Sequence, residues 1–122
     1  MQHIGNLPGA THTPAVVVGD LVFTAGQVGE DHATHEIPAD FEAEVGRALD
    51  NLDAVLTEAG SGLSRIAQAT CYIADLELVD SFNAVYRARI PEPRPPRATV
   101  QVAMIAPYRI EIVVVATREG TA

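Results

Sequence analysis

Two runs of consecutive β-branched residues constrain the fold of this chain more than any other feature. VVV at 16–18 and IVVV at 112–115 are apolar at every position instead of at every second position. Successive side chains of a strand point to opposite faces of a sheet, so such runs need cover on both faces. The chain has 122 residues, which is enough for one hydrophobic core of moderate size. We therefore expect a single domain over residues 1–122 whose sheet is covered further by oligomerisation.

Hydrophobic periodicity and turn residues predict the order ββ-α-β-α-ββ. The predicted elements are a hairpin at 15–27, a helix at 40–59, a strand at 66–74, a helix at 75–90 and two strands around a turn at 97–104 and 109–117. Asp40 is a suitable N-cap for the first helix, and Gly60 is a suitable C′ residue. This order, with hairpins at both ends, is typical of an α+β domain that carries two helices on one face of a mixed sheet.

Two residues inside the first predicted helix are unusual there. Gly46 costs about 1 kcal/mol relative to alanine in a helix interior. Its missing side chain is expected to let another backbone approach closely. Asn51 is either a residue on the helix surface or a buried amide that ties the helix to a loop, and we favour the buried amide.

Composition and charge exclude several classes of function. The 16 acidic and 8 basic residues give a net charge of −8, which is unsuited to binding nucleic acid or an anionic membrane. All basic residues are arginine, so Schiff-base chemistry through a lysine is excluded. The one cysteine, Cys71, allows neither an internal disulfide nor a Cys-x-x-Cys motif. No apolar run approaches the roughly 18 residues of a membrane span and no signal peptide is recognised, so we expect a soluble, cytoplasmic protein.

Two charged residues stand out in the predicted strands. Arg97 follows two prolines and opens a strand, where its planar fork suits a carboxylate; the alternative is a solvated arginine at a strand end. Glu111 lies between two isoleucines, where it is expected to pair with an arginine or to hold water in a polar pocket. The alternative is a solvent-facing position of an alternating strand. The residues by themselves leave both alternatives open.

Histidine and cysteine offer two weaker candidates. His32 and His35 lie in EDHATHE at 30–36, where no third metal ligand follows at a diagnostic distance, so a polar loop is the favoured interpretation. Cys71 would need a nearby histidine base to act as a nucleophile, and a buried structural thiol is favoured.

Five sequence blocks resemble one known family. They are VGDLVFTAGQVG at 18–29, ALDNLDAVLTEAG at 48–60, FNAVYRARI at 82–90, PPRATVQVA at 95–103 and IEIVVVA at 110–116. Each block alone is weak, but their order and spacing are highly specific and extend from about Pro14 to Arg118. In these blocks the chain resembles the Rid family, whose archetype is RidA, also called YjgF.

The resemblance implies a fold, an activity and a set of site residues. It implies a homotrimer of the chorismate-mutase-like α+β fold, in which three sheets form a central β-barrel and ligand clefts lie between subunits. RidA-type members hydrolyse reactive enamines and imines, such as 2-aminoacrylate and 2-iminopropionate, to 2-oxo acids and ammonia without a metal or cofactor. The resemblance assigns Arg97 to the substrate carboxylate and Glu111 to the hydrolytic water, and it places Thr99 and Gly26 near the cleft.

The chain departs from the family pattern at two cleft positions. His12 stands where the family usually has a tyrosine, and Ile90 stands where it usually has a phenylalanine. We expect both residues to contribute to substrate binding, with hydrolysis retained and substrate preference shifted.

Three other functions stay open. One is a pathway-specific deaminase, for example one that acts on 2-aminomuconate. A second is a protein that binds 2-oxo acids or other small carboxylates in the same cleft without turnover, as a regulator. The third is a ribonuclease or translation inhibitor, against which the net charge of −8 argues.

Overall fold

Seven strands and two α-helices make up the fold over residues 1–5 and 7–119, the part of the chain that the computed structural model describes. In chain order they are β1 (Gln2–Ile4), β2 (Ala15–Val18), β3 (Leu21–Thr24), β4 (Gln27–Val28), α1 (Phe41–Glu58), β5 (Ile66–Ile73), α2 (Val79–Arg89), β6 (Arg97–Gln101) and β7 (Ile110–Thr117). Short 3₁₀ turns precede β5 and α2. Within this described part, neither helix combines the length and the apolar character that a bilayer crossing requires.

The strands form one mixed sheet. Its order is β1-β2-β3-β7-β5-β6, and β4 also pairs with β7. β5 and β6 are parallel and are connected through α2, whereas the other paired strands are antiparallel. The α+β class with two helices and a mixed sheet is confirmed.

The predicted order needs two corrections. β1 and β4 were not predicted, because strands of three and two residues are too short to show an alternating pattern. The last two strands do not form a hairpin, because β5 lies between β6 and β7. Periodicity identifies a strand but contains no information about its neighbour in the sheet.

The ends of α1 lie where the sequence predicts them. The Asp40 side chain accepts a hydrogen bond from the Ala43 amide at 3.0 Å, and Gly60 has a φ of +83°, which disfavours residues with a β-carbon. The expected close neighbour of Gly46 is wrong: among the described residues, a β-carbon there would meet no atom within 4 Å beyond the helix's own backbone.

The helices cover one face of the sheet and leave the other face open. On the covered face, β7 buries Ile110, Ile112, Val114 and Ala116. The side chains between them are half-buried and point to the open face. Large apolar side chains that are 40% to 47% exposed also lie on the open face, namely Val18, Leu21, Phe23 and Val100. Within one chain, the β-branched runs are therefore covered on one side only.

Candidate functional site

Arg97, the first residue of β6, lies on the helix-covered face of the sheet. Its register partner in β5 is the buried Ala69. The guanidinium carbon lies 4.6 Å from the centre of the Tyr86 ring and 5.1 Å from that of Phe82, both in α2. Arg97 Nη2 donates to Asn83 Oδ1 at 2.7 Å. These contacts orient the planar fork and, within the described part of the chain, leave its other N–H groups without a partner.

A pocket of about 270 Å³ opens beside Arg97. Arg87 and Arg94 also line this pocket, so its local charge is positive although the chain is acidic. Arg94 is largely committed to structure, because it donates to the carbonyl oxygens of Ile90 and Arg87 and pairs with Glu92 at 3.1 Å. Arg97 therefore has N–H groups to offer to an anionic ligand.

Two buried hydroxyls next to Arg97 have no hydrogen-bond partner among the residues described. They are Thr99 Oγ1, on the same face two residues further along β6, and Tyr86 Oη, whose ring stacks on the guanidinium. Burial raises the pKa of Tyr86, so its phenol keeps the proton that it can donate. Because buried polar groups are nearly always hydrogen-bonded, the Tyr86 hydroxyl and the arginine fork, whose residues line the same pocket, suit a small carboxylate.

Cys71 lies beside this pocket without taking part in it. It is the register partner of Thr99, and its side chain is fully buried. Burial raises the pKa of the Cys71 thiol to about 11, with the Arg97 charge acting in the opposite direction. A thiol with that pKa is a poor nucleophile, so the interpretation of Cys71 as a buried structural thiol is confirmed.

Glu111 lies on the open face of the sheet. Its register partners are Tyr72 in β5 and Val28 in β4. A pocket of about 440 Å³ lies in front of its half-buried side chain. Further side chains that line this pocket are Val102, Met104, Ile105 and Tyr108. A carboxylate among apolar walls and two phenols is suited to holding a water molecule.

Gly26 lies against the Glu111 carboxylate. A β-carbon at position 26 would collide with the carboxylate group of Glu111. The glycine therefore leaves the space that the carboxylate occupies, and the expectation that Gly26 lies near the ligand cleft stays a prediction.

One chain keeps the two groups of residues on opposite faces of the sheet. Arg97 and Thr99 point to the helices, as do their β5 partners Ala69 and Cys71. Glu111 points to the open face. Within one chain, Arg97 and Glu111 therefore line different pockets.

The two departures from the family pattern lie outside both pockets. His12 is exposed, and its Nδ1 atom lies 3.1 Å from Thr11 Oγ1. Ile90 follows α2 and is 1% exposed, within the hydrophobic core. The structure of one chain brings neither residue to Arg97 or Glu111, so their role in substrate binding stays a prediction.

The polar loop before α1 folds onto itself and onto the helix. Asp31 accepts hydrogen bonds from the amides of Ala33 and Thr34. No group of three possible metal ligands occurs among the described residues.

The Asn51 amide in α1 donates to the carbonyl oxygens of Val28 and Glu30 at 2.8 and 2.9 Å. The expected tie between the helix and the loop is confirmed, although Asn51 is half-buried and not buried.

Comparison with known proteins identifies the family. Residues 6–118 match the family described as endoribonuclease L-PSP. A 2-iminobutanoate/2-iminopropanoate deaminase from Escherichia coli is 33% identical over 119 residues, which cover 93% of each protein. This chain belongs to the RidA/YjgF family.

Solved RidA/YjgF structures share its fold. RidA from an Antarctic Psychrobacter is 30% identical, with a TM-score of 0.89 over 96% of this chain and 99% of that one. TdcF from E. coli, solved with bound serine, is also 30% identical, with a TM-score of 0.84 over 97% of this chain and 94% of that one. The resemblance that the sequence blocks indicate is confirmed.

Sequence reasoning missed a buried ion pair of this RidA/YjgF chain. Glu44 in α1 is fully buried, and its carboxylate accepts from Arg109 Nε at 2.6 Å and from the Arg109 amide at 2.8 Å. A signal was present, because Glu44 follows Phe41 by three residues and precedes Ala48 by four, which places it on the buried stripe of the helix.

Proposed function

We propose that this chain is a hydrolytic deaminase that converts reactive enamines and imines to 2-oxo acids and ammonia. The observation that carries the proposal is the Arg97 fork, stacked on Tyr86, whose buried hydroxyl has no hydrogen-bond partner in the described part of the chain. These substrates carry a carboxylate next to the C=N carbon, which suits bidentate binding by the fork. The E. coli deaminase relative supports the assignment.

The proposed reaction balances without a cofactor. Glu111 takes a proton from a water molecule, whose oxygen forms a bond to the imine carbon, and passes that proton to the imine nitrogen as the C=N π bond opens. In the carbinolamine that results, Glu111 takes the hydroxyl proton and delivers it to the amine nitrogen, so that the C–N bond breaks as the C=O bond forms and ammonia leaves. One water is consumed, one ammonia and one 2-oxo acid are released, and Glu111 returns to its starting state. An enamine enters the same sequence after tautomerising to the imine.

The proposal includes a homotrimer whose open sheet faces form a central β-barrel. Arg97 and Glu111 lie on opposite faces within one chain, so a shared cleft takes Arg97 from one copy and Glu111 from another. The apolar side chains of Val18, Leu21 and Phe23 on the open face also need cover, which neighbouring copies would supply.

A coupled assay tests the deaminase proposal. An amino-acid oxidase generates imines from a panel of amino acids, and semicarbazide traps those that escape hydrolysis. We expect wild-type protein to suppress semicarbazone formation, and Arg97→Ala to lose hydrolysis by roughly a hundredfold or more because the carboxylate is no longer positioned. Arg97→Lys, which keeps the charge but loses the planar fork, should lie between them.

Arg65→Ala is the matched control for loss of one arginine. Arg65 lies outside both pockets and donates to the Thr117 carbonyl oxygen. Full hydrolysis by a folded Arg97→Ala protein would overturn the proposal.

Binding without turnover is the second candidate. Arg97 and Tyr86 line one pocket and suit a small carboxylate whether or not Glu111 acts on it. Thermal stabilisation by 2-oxo acids with no release of ammonia from any imine would favour this function. The ribonuclease named in the family description is disfavoured, because a net charge of −8 opposes binding to phosphate backbones.

A further inference from the structure

A chain of hydrogen bonds reaches the Glu111 pocket from the loop before α1. His35 Nδ1 lies 2.6 Å from Glu30 Oε1, and the Tyr108 hydroxyl donates to Glu30 Oε2 at 2.5 Å. The Glu30 side chain is 17% exposed, and its backbone carbonyl is held by the Asn51 amide. Both carboxylate oxygens of Glu30 are therefore occupied, and the group is fixed to α1.

The pKa shifts of Glu30 and Tyr108 show which group carries the proton in their hydrogen bond. The hydrogen bond from Tyr108, followed by that from His35, lowers the pKa of Glu30, so its carboxylate stays ionised. The same bond to Glu30 raises the pKa of Tyr108, with burial and the charges of Glu30 and Glu111 adding to it. Tyr108 is thus protonated, and it gives its one proton to Glu30. Its oxygen can only accept hydrogen bonds from other groups.

The backbone of His35 is strained where it supplies its ring to Glu30. His35 has a φ of +62°, in the left-handed region that residues with a β-carbon rarely adopt. Hydrogen bonds from the His35 amide to the Asp31 carbonyl at 2.6 Å and from the Asp31 amide to the Glu36 carbonyl at 2.8 Å hold the loop in this conformation. The loop therefore keeps the imidazole against Glu30, although the left-handed backbone conformation of His35 is unfavourable.

Tyr108 separates two cavities. One cavity of about 580 Å³ contains Glu30 and His35, and the other, of about 440 Å³, contains Glu111. Tyr108 lines both of them, and the Glu111 charge acts on its phenol. Tyr108 thus shares a pocket with the Glu111 carboxylate and the Tyr72 phenol, and the other walls of that pocket are apolar.

We propose that Tyr108 determines the specificity of the Glu111 pocket, because a phenol that Glu30 keeps as an acceptor favours a ligand atom carrying N–H over a carbonyl oxygen. This inference rests on the proposed function, in which the nitrogen end of the substrate enters the Glu111 pocket. Imines, enamines and ammonium groups present N–H there, whereas a 2-oxo acid presents only lone pairs. The pocket then binds substrates more tightly than their product, which promotes product release.

A pair of ligands that differ in one group tests the inference. Dissociation constants of 2-aminobutanoate and 2-oxobutanoate are measured by calorimetry for wild type and two variants. Tyr108→Phe should weaken the binding of 2-aminobutanoate by roughly tenfold, because one hydrogen bond to a charged group is lost. The binding of 2-oxobutanoate should stay nearly unchanged. Glu30→Gln should reverse the preference, because the glutamine amide donates to the Tyr108 oxygen and turns the phenol proton toward the pocket.

Glu36→Gln is the matched control, since it removes the same charge from the same loop at an exposed position. An unchanged ratio of the two constants in both Tyr108→Phe and Glu30→Gln would overturn the inference. Arg97→Ala separates this result from the proposed function: if that variant binds both ligands as wild type does, the carboxylate site itself is wrongly assigned.

Discussion

The Glu111 carboxylate depends on the residue opposite it having no side chain. Gly26 leaves the space in which the carboxylate lies, and the atoms that an added β-carbon would meet belong to the flexible end of Glu111. A substitution at position 26 therefore moves the carboxylate and leaves the backbone in place.

We expect Gly26→Ala to retain the fold and to lose most imine hydrolysis, because a displaced carboxylate no longer orients water. The coupled imine assay measures the loss, and circular dichroism verifies the fold. Gly62→Ala is the control, since a β-carbon at position 62 meets no atom among the described residues. Equal activity of the two variants would contradict the role of this contact.

The hydrogen bonds of Glu30 make stability depend on pH. Its pKa lies below the ordinary value of 4.5, chiefly through the bond from Tyr108 and then that from His35. The unfolded chain binds this proton more readily than the folded chain does. The stabilisation by the ionised Glu30 is therefore present above pH 4.5 and is lost as the pH falls through the folded-state pKa. We expect the difference in unfolding free energy between wild type and Glu30→Gln to shrink below that pH.

Urea unfolding at a series of pH values on both sides of 4.5 measures this difference. The comparison should be made against Glu36→Gln, whose difference from wild type stays small throughout. If the difference in unfolding free energy between wild type and Glu30→Gln grows as the pH falls, the predicted direction of the pH dependence is wrong.

At the scale of elements, one buried ion pair ties the start of α1 to the start of β7. Glu44 receives both the side-chain and the backbone N–H of Arg109, which also donates to the carbonyl oxygens of Pro38 and Ala39. The loop before α1, the first turn of the helix and the central strand are thus held at one point. The same loop carries Glu30 and His35, so this contact also supports the chain of hydrogen bonds to Tyr108.

Glu44→Ala should lower the free energy of unfolding by about 3 kcal/mol, because it leaves Arg109 partly buried without its partner. Glu44→Gln, which keeps one acceptor and the volume, should lose less. Denaturant unfolding measures both variants, with Glu42→Ala in the same turn as an exposed control. A loss for Glu44→Ala no larger than that for Glu42→Ala would show that the pair contributes little.

At the scale of the whole molecule, the side of the sheet on which a residue lies decides what it can reach. Arg97 and its pocket lie against α2, whereas the Glu111 side chain lies on the face that the helices do not cover. The proposed trimer joins these two surfaces and covers the apolar side chains between them. Sedimentation should then show particles of three times the 12.9 kDa chain mass.

Mixing two inactive variants tests whether the site is shared between copies. Arg97→Ala and Glu111→Gln are unfolded together and refolded at equal concentrations, so that the trimers contain both chains. If each cleft takes Arg97 from one copy and Glu111 from the next, about a quarter of the clefts contain both native residues, and activity returns in that proportion. No recovery from mixed trimers would place both residues of a cleft in one copy.

The features that the sequence predicts correctly have causes within a few neighbouring residues. The apolar period of α1, its cap at Asp40 and its termination at Gly60 are local in this sense. The family is recognisable because its blocks keep their order and spacing. A strand as short as β4 contains too few residues for any period.

The sequence by itself therefore determined the helices, the longer strands, the buried thiol and the family of this chain. Only the tertiary structure decided that β6 pairs with β5, that Arg97 and Glu111 lie on opposite faces, and that Tyr108 meets Glu30, 78 residues earlier in the chain. Alternation along a strand specifies which residues share a face, but which face meets the helices depends on pairing between distant segments. Those contacts form between residues far apart in sequence, so a pattern within a short segment does not predict them.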